Sequence, residues 1–187
     1  GANASGEAFL HGKKITLTSP HDAIKKGIGY VSEDRKALGL VLIQTVKNNI
    51  TNSSLPQLSR MGILDANAEI EAAERYRNSL NIKTPSIHQM VQNLSGGNQQ
   101  KVVLSRSLLA EPEIFIVDEP TRGIDVGAKY EIYTILNELA AQGKSIIMVT
   151  SELPEAIGMA DRIYVMNEGQ IKGSLDRDEA TQEGIMH

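Results

Sequence analysis

The chain has 187 residues, about the length of one domain with room for a sizeable core. Hydrophobic residues make up 41% and charged residues 22%, which excludes intrinsic disorder, and the absence of cysteine excludes disulfide scaffolds, thiolate zinc sites and thiol nucleophiles. A net charge of -4, with five tyrosines, two phenylalanines and no tryptophan, argues against nucleic acid as a partner, because both a positive field and stacking platforms are lacking.

In chain order, Gly1 to Glu7 has no basic segment followed by an apolar core, so no secretory signal is read there. Phe9-Leu10, the turn His11-Gly12 and Lys13 to Thr18 predict a hairpin. Ser19-Pro20 opens a short helix through Asp22 to Lys26, closed by Gly27, and a strand comes next at Ile28 to Val31. Ser32 to Lys36 reads as a polar loop, and Ala37 to Leu64 gives no assignable pattern around Pro56. Asp65 caps a helix with Ala68, Ala72, Tyr76 and Leu80 about one turn apart, and Pro85 separates it from the next segment.

Asn93 to Gly97 reads as a loop feeding a helix from about Asn98 to Ala110, ended by Pro112. Ile114 to Val117 is a continuous apolar run, expected as a strand buried on both faces, and it leads into Asp118-Glu119-Pro120. A helix from about Gly127 to Ala141 carries Ala128, Ile132, Ile135, Leu136 and Leu139 on one face and stops at Gly143. Ser145 to Val149 is a second buried strand; a short helix near Pro154 to Met159 precedes a hairpin whose strands flank Asn167-Glu168-Gly169. This order predicts an α/β fold, with a mostly parallel sheet, flanking helices and a small antiparallel edge. The apolar stretches fall far below the roughly 20 residues of a membrane-spanning helix, so any membrane role is expected through a partner. The histidines at 11, 21, 88 and 187, the pairs Lys25-Lys26 and Arg35-Lys36, and Glu69, Glu71 and Glu74 are all expected to face solvent.

Two stretches carry chemistry. An apolar strand that delivers Asp118 and Glu119 at its C-terminal end puts charge where open α/β sheets bind ligands. One carboxylate there suits a hydrated divalent metal, and its neighbour suits an attacking water, the pair that nucleotide hydrolysis needs. A solvated turn gives the same three letters. In Leu94-Ser95-Gly96-Gly97-Asn98-Gln99-Gln100, two glycines allow close backbone approach and the adjoining helix offers unpaired N–H groups, an anion site to which Ser95 adds a hydroxyl. An ordinary serine cap has the same spelling.

Taken together, the two stretches resemble the ATP-binding cassette family. Leu94-Ser95-Gly96-Gly97 matches its signature loop, Ile114 to Asp118 its Walker B strand, Glu119 its catalytic glutamate, and Thr121 to Asp125 its D-loop, with Asp125 as the matching aspartate. The spellings Leu-Ser-Gly-Gly-Asn-Gln-Gln-Lys and Asp-Glu-Pro-Thr-Arg-Gly-Ile-Asp-Val-Gly-Ala-Lys resemble the second cassette of bacterial sugar-importer ATPases of the ribose and galactoside type, over nearly the whole chain from Ser5-Gly6-Glu7 to Glu183. The resemblance implies ATP and Mg2+ as ligands. It implies a nucleotide-contact set of Leu94, Ser95, Gly96, Gly97, Gln99, Asp125, Glu33 and Ser151, with Asp118 and Glu33 at the metal. It also implies as partners a first cassette of the same subunit, membrane permease subunits and, indirectly, a sugar-binding protein, at the cytoplasmic face of the membrane. Residues 64–112 are then the helical and signature region, and residues 113–187 carry Walker B, the D-loop and the C-terminal part.

The departures from the family are specific. No Gly-x-x-x-x-Gly-Lys-Ser/Thr occurs, so the phosphate loop with its strand and helix is missing, and the chain is expected to be a partial cassette starting just downstream of that loop. Glu33 stands where the family usually has a metal-binding glutamine, and Ser151 where it has its switch histidine. A carboxylate repels a γ phosphate unless a metal intervenes, and a hydroxyl lacks the reach and charge of an imidazole. The implied activity is coupling of ATP hydrolysis to carbohydrate uptake, with this signature loop completing the site of the other cassette. The alternatives are a non-catalytic regulatory cassette and a non-transport cassette ATPase.

Overall fold

The computed structural model describes residues 6–186. Ser5, the residues before it and His187 lie outside the described residues, as do the parts of the signal-segment and resemblance readings that fall on them.

The organising element is a three-stranded parallel sheet, β3 (Ile28–Val31), β6 (Ile114–Asp118) and β7 (Ser145–Val149), with β6 in the middle. Ile28 to Val31 align with Ile114 to Val117, and Ile114 to Asp118 with Ser145 to Val149. Phe115 and Val117 of β6 are fully buried and join Val102, Val103 and Leu104 of α4 (Gly96–Leu108) in the main core. Helix α5 (Val126–Ala141) adds Ile132, Ile135, Leu136 and Leu139 to the same core.

The expectation of strands buried on both faces is corrected here. Ile114 and Ile116 are half-buried, and Ile147 and Val149 of β7 stand 52% and 50% exposed, because the described residues bury the Phe115 and Val117 face of β6, cover the matching Ile146 and Met148 only in part, and leave the alternate residues less covered still. The antiparallel edge is corrected as well. The hairpins β1 (Ala8–Leu10) with β2 (Lys13–Ile15), β4 (Ser59–Arg60) with β5 (Ile63–Leu64), and β8 (Arg162–Asn167) with β9 (Gln170–Asp176) form separate two-stranded sheets, and among the described residues none is bonded to the parallel one. The last turns at Glu168-Gly169, both at positive φ, the geometry that a two-residue hairpin favours.

Helix starts obey the capping signals. Ser19 caps α1 (Pro20–Lys25), Asp65 caps α3 (Ala66–Ser79) through the Asn67 and Ala68 N–H groups, and Gly27 and Gly143 turn the chain at positive φ. The expected polar loop after β3 tightens instead into a wide helical turn over Arg35–Gly39, with Asp34 Oδ1 accepting from the Lys36 and Ala37 N–H groups.

The stretch without a readable pattern is ordered and contributes to the core. Helix α2 (Val46–Thr51) buries Val46 and Ile50 completely, and its buried Asn49 bonds the Val41 backbone on both sides and the Thr45 carbonyl. Backbone bonds from Val46 and Lys47 to Gln89 and Ile87, and from Val91 and Gln92 to Gln44 and Leu42, lace it to the segment before α4. Two solvent-facing expectations fail. Glu69 is buried beside Lys47 and Thr51, which hold its carboxyl below its usual range although burial alone pushes it up. Arg35 folds back onto residues 122 and 123. Glu71 faces solvent, and Glu74 pairs with Arg77.

Candidate functional site

At the C-terminal end of β6, Asp118 accepts a hydrogen bond from the Tyr30 hydroxyl at 2.9 Å, across from β3. Burial, and after it that bond and the carboxylate charge, raises the Tyr30 pKa, so the phenol remains a donor. The next residue, Glu119, leaves the strand with φ +45°, a left-handed conformation that costs a non-glycine residue roughly 1–2 kcal/mol. Its N–H donates to the Val149 carbonyl at 2.8 Å and its carbonyl accepts from Arg122 N–H at 3.1 Å, which fixes the turn. The turn brings the Glu119 carboxylate to Ser151, whose N–H donates to Oε1 at 2.8 Å. Three of the expected residues therefore meet at the ends of adjacent parallel strands.

The second group gathers at the start of α4. Ser95 is the N-cap, as its ordinary reading predicts, and its Oγ accepts from Asn98 Nδ2 at 2.9 Å. The helix begins at Gly96, two residues earlier than the spacing suggests, so both glycines lie in its first turn. They are there for room. A Cβ on Gly97 would sit 2.4 Å from the Ala128 Cβ of α5, and one on Gly96 would meet the Arg35 guanidinium at 3.0 Å and the Gly123 carbonyl at 3.3 Å. Asp125 caps α5 by accepting from the Ala128 N–H at 3.0 Å, so the helix start of α4 packs against the helix start of α5. Lys101, 1% exposed, reinforces the contact by donating to the Asn81 carbonyl at 2.9 Å and pairing with Glu131 of α5 at 2.7 Å.

The loop over residues 119–125 belongs to both groups. Arg35 donates to the carbonyls of Arg122 at 2.7 Å and Gly123 at 3.1 Å, while Arg122 pairs with Glu33. Glu33 is thus tied to this loop through Arg122. Leu94 packs against the core. Gln99 is buried, with Nε2 donating to the Val91 carbonyl at 3.2 Å, so its side chain is committed to the segment before α4.

Sequence reasoning missed Glu155. It lies in α6 (Leu153–Met159), is 3% exposed, and accepts from three hydroxyls: Thr121, Tyr133 at 2.7 Å and Thr150 at 2.6 Å. Burial works to raise its pKa, but those bonds and the Lys129 charge prevail and hold it below the usual carboxylate range. Tyr133 is pushed up to about 12 by burial and by the bond to Glu155. Glu155 is one acid among 23, and its partners lie 34, 22 and 5 positions away, so no local pattern marks it.

Among the described residues, no group of three or more His, Asp or Glu side chains is gathered to hold a metal. The donor set still fits Mg2+, which takes one or two carboxylates and completes its shell with phosphate and water oxygens. Asp118, engaged by Tyr30 through Oδ2, would supply one such carboxylate.

Comparison with known proteins gives the class first. The fold is that of ATP-binding cassettes: a dimeric cassette bound to ADP and phosphate matches 92% of this chain and 74% of its own with TM-score 0.75, and a second dimeric cassette matches the same shares with TM-score 0.76, both at 22% identity. The model of the ABC transporter family matches residues 2–122, and the chain belongs to that family. It is 56% identical over its full length to an L-arabinose transport ATP-binding protein of Geobacillus stearothermophilus. It is also 54% identical over 97% of its length to a xylose import ATP-binding protein of Thermoanaerobacter pseudethanolicus, and 51% over 98% to a ribose import ATP-binding protein of Clostridium tetani. The chain spans 36% of the length of each of these three relatives.

Proposed function

We propose that the chain is part of a second cassette in the ATP-binding subunit of a sugar importer, where it couples ATP binding and hydrolysis to carbohydrate uptake. The single observation that carries the reading is the meeting of the two groups on loop 119–125. The Ser95-Gly96 helix start packs on one side of that loop, and the loop itself begins at the Glu119 carboxylate. In this reading Ser95 and the N–H groups of α4 face the γ phosphate of an ATP held by another cassette, where positioned donors stabilise charge that develops in transfer. At this cassette's own site Asp118, with Glu33 as the second candidate carboxylate, would hold Mg2+, which would neutralise phosphate charge, and Glu119 would orient the attacking water. Leu94, Gly97 and Asp125 support the nucleotide contacts, whereas Gln99, turned to the Val91 carbonyl, acts only by holding the segment before α4. Residues 64–112 form the helical and signature region; residues 113–187 form the Walker B, D-loop and C-terminal part.

The named relatives transport or import arabinose, xylose and ribose, so a pentose is the first substrate to test. No helix of the described residues is long and apolar enough to cross a membrane, which accords with peripheral attachment to permease subunits at the cytoplasmic face. A cleft of about 390 Å³ beside α2, lined by Val41, Gln44, Leu55 and Leu64 together with the paired Lys47 and Glu69, is the surface we assign to the permease. A sugar-binding protein acts upstream of it.

Ser151 and Glu33 in place of histidine and glutamine favour a division of labour, with this cassette's own site weakened and its Ser95-Gly96 segment serving the partner site. The test is ATP-dependent pentose uptake into vesicles carrying the assembled transporter. Gly96→Asp, which puts a carboxylate near the phosphate and against the Gly123 carbonyl, is expected to abolish uptake. Uptake equal to wild type would remove the reading.

A further inference from the structure

Glu155 is a buried carboxylate that the proposed chemistry does not use. Its oxygens divide between two loops. Oε1 takes the hydroxyls of Thr121 and of Tyr133 on α5, and Oε2 takes the hydroxyl of Thr150. Thr121 is two residues beyond Glu119, and Thr150 immediately precedes Ser151, whose N–H holds the Glu119 carboxylate at 2.8 Å. The Thr150 hydroxyl also accepts from the Glu152 N–H at 3.0 Å, so the turn that presents the Ser151 N–H is built around it. A buried carboxylate with three hydroxyl donors is strongly directional, because each donor lost leaves charge unsatisfied in a low-dielectric setting.

We propose that Glu155 is a positioning residue: it locks loop 119–125 and the Thr150-Ser151 turn into one unit and thereby sets the Glu119 carboxylate. A displacement of the loop that packs on Gly96 then moves the Ser151 N–H, and the reverse holds by linkage. The inference rests on the reading of Glu119 as a site carboxylate for its functional meaning, but its geometry needs no nucleotide.

The experiment is residue-resolved amide hydrogen exchange of the chain by NMR, without nucleotide. Thr150→Val removes the hydroxyl at nearly constant volume and is expected to speed exchange at Ser151 about tenfold, with Val117 in β6 unchanged. Thr121→Val, on the other loop, is expected to speed Ser151 exchange in the same direction, and Thr150→Ser to restore protection. Glu155→Gln should show the largest Ser151 effect; if it does not fold, the two threonine variants decide. Unchanged Ser151 exchange in both threonine variants would overturn the proposal. So would equal acceleration at Ser151 and Val117, the mark of a merely structural residue. Turnover of Glu119→Gln in the assembled transporter tests the underlying reading separately, and wild-type turnover there would overturn that reading while leaving the exchange result standing.

Discussion

The start of α4 and the end of β6 each hold small polar groups in place, by opposite means. At α4 the agent is shape: Gly96 and Gly97 let two helix starts approach until a single methyl would collide with Ala128. At β6 the agent is charge: Asp118, Glu119 and the hydroxyl cluster on Glu155 are fixed by hydrogen bonds from Tyr30, Ser151, Thr121, Thr150 and Tyr133. The first region should therefore respond to volume and the second to protonation.

The largest effect is expected from Gly97→Ala. The added methyl meets the Cβ and backbone of Ala128, neither of which can rotate away, so a loss of about 2 kcal/mol is expected despite alanine's better helix propensity. Urea unfolding of the chain measures it, and Gly97→Ala combined with Ala128→Gly should recover part of the loss. A stabilised Gly97→Ala variant would show that the helices do not touch there.

Acid sharpens the other side of the comparison. Glu155 and Glu69 are held below their ordinary value of 4.5 in the folded chain, so the unfolded chain takes up protons first as pH falls. Their contribution is complete above about 4.5 and is lost as the pH drops toward their folded-state values. The urea midpoint should fall across that window, and more shallowly in Glu155→Gln, which starts from a lower neutral midpoint. A Glu155→Gln profile parallel to wild type would exclude Glu155 as a source of the acid sensitivity.

Smaller effects separate neighbours. Asp125→Ala removes the cap of α5 and should cost about 1 kcal/mol by the same measurement, with Asp125→Asn recovering most of it. Gly96→Ala should cost less than Gly97→Ala, because its contacts, the Arg35 guanidinium at 3.0 Å and the Gly123 carbonyl at 3.3 Å, need give only a few tenths of an ångström where Ala128 at 2.4 Å must move farther. A Gly96→Ala loss equal to that of Gly97→Ala would mean that Arg35 and loop 119–125 are as rigid there as the α4–α5 contact.

Local signals account for the legible part of the fold. The caps at Ser19, Asp65 and Ser95, the stops at Gly27 and Gly143, and the apolar runs at 28–31, 114–117 and 145–149 all report chemistry within a few residues, and each element forms at its signal or, for α4, within two residues of its expected start. The hidden part depends on long-range partners. Hydrophobic periodicity says nothing of the buried Asn49 that organises residues 41–49, and charge alone sends Arg35 and Glu69 to the surface, although Arg122, Gly123, Lys47 and Thr51 draw them inward. β6 and β7 read as fully buried because apolar runs do not reveal how many faces a fold covers. At the candidate site, the residues of each group are legible from their spelling, but the joint between the groups is not. Arg35, Arg122 and Glu155 make that joint through contacts of which all but the one to Thr150 span 22 to 89 positions.

In the proposed function, the Ser95-Gly96 helix start serves catalysis more than Glu119 does. The most direct measurement is sugar-stimulated ATP hydrolysis by the assembled transporter carrying Ser95→Ala, Gly96→Asp or Glu119→Gln. Loss of transition-state donors should lower turnover about a hundredfold in the first two, with a smaller loss in Glu119→Gln, whose site lacks the usual glutamine and histidine. Abolished turnover in Glu119→Gln with wild-type rates in both α4 variants would contradict the account.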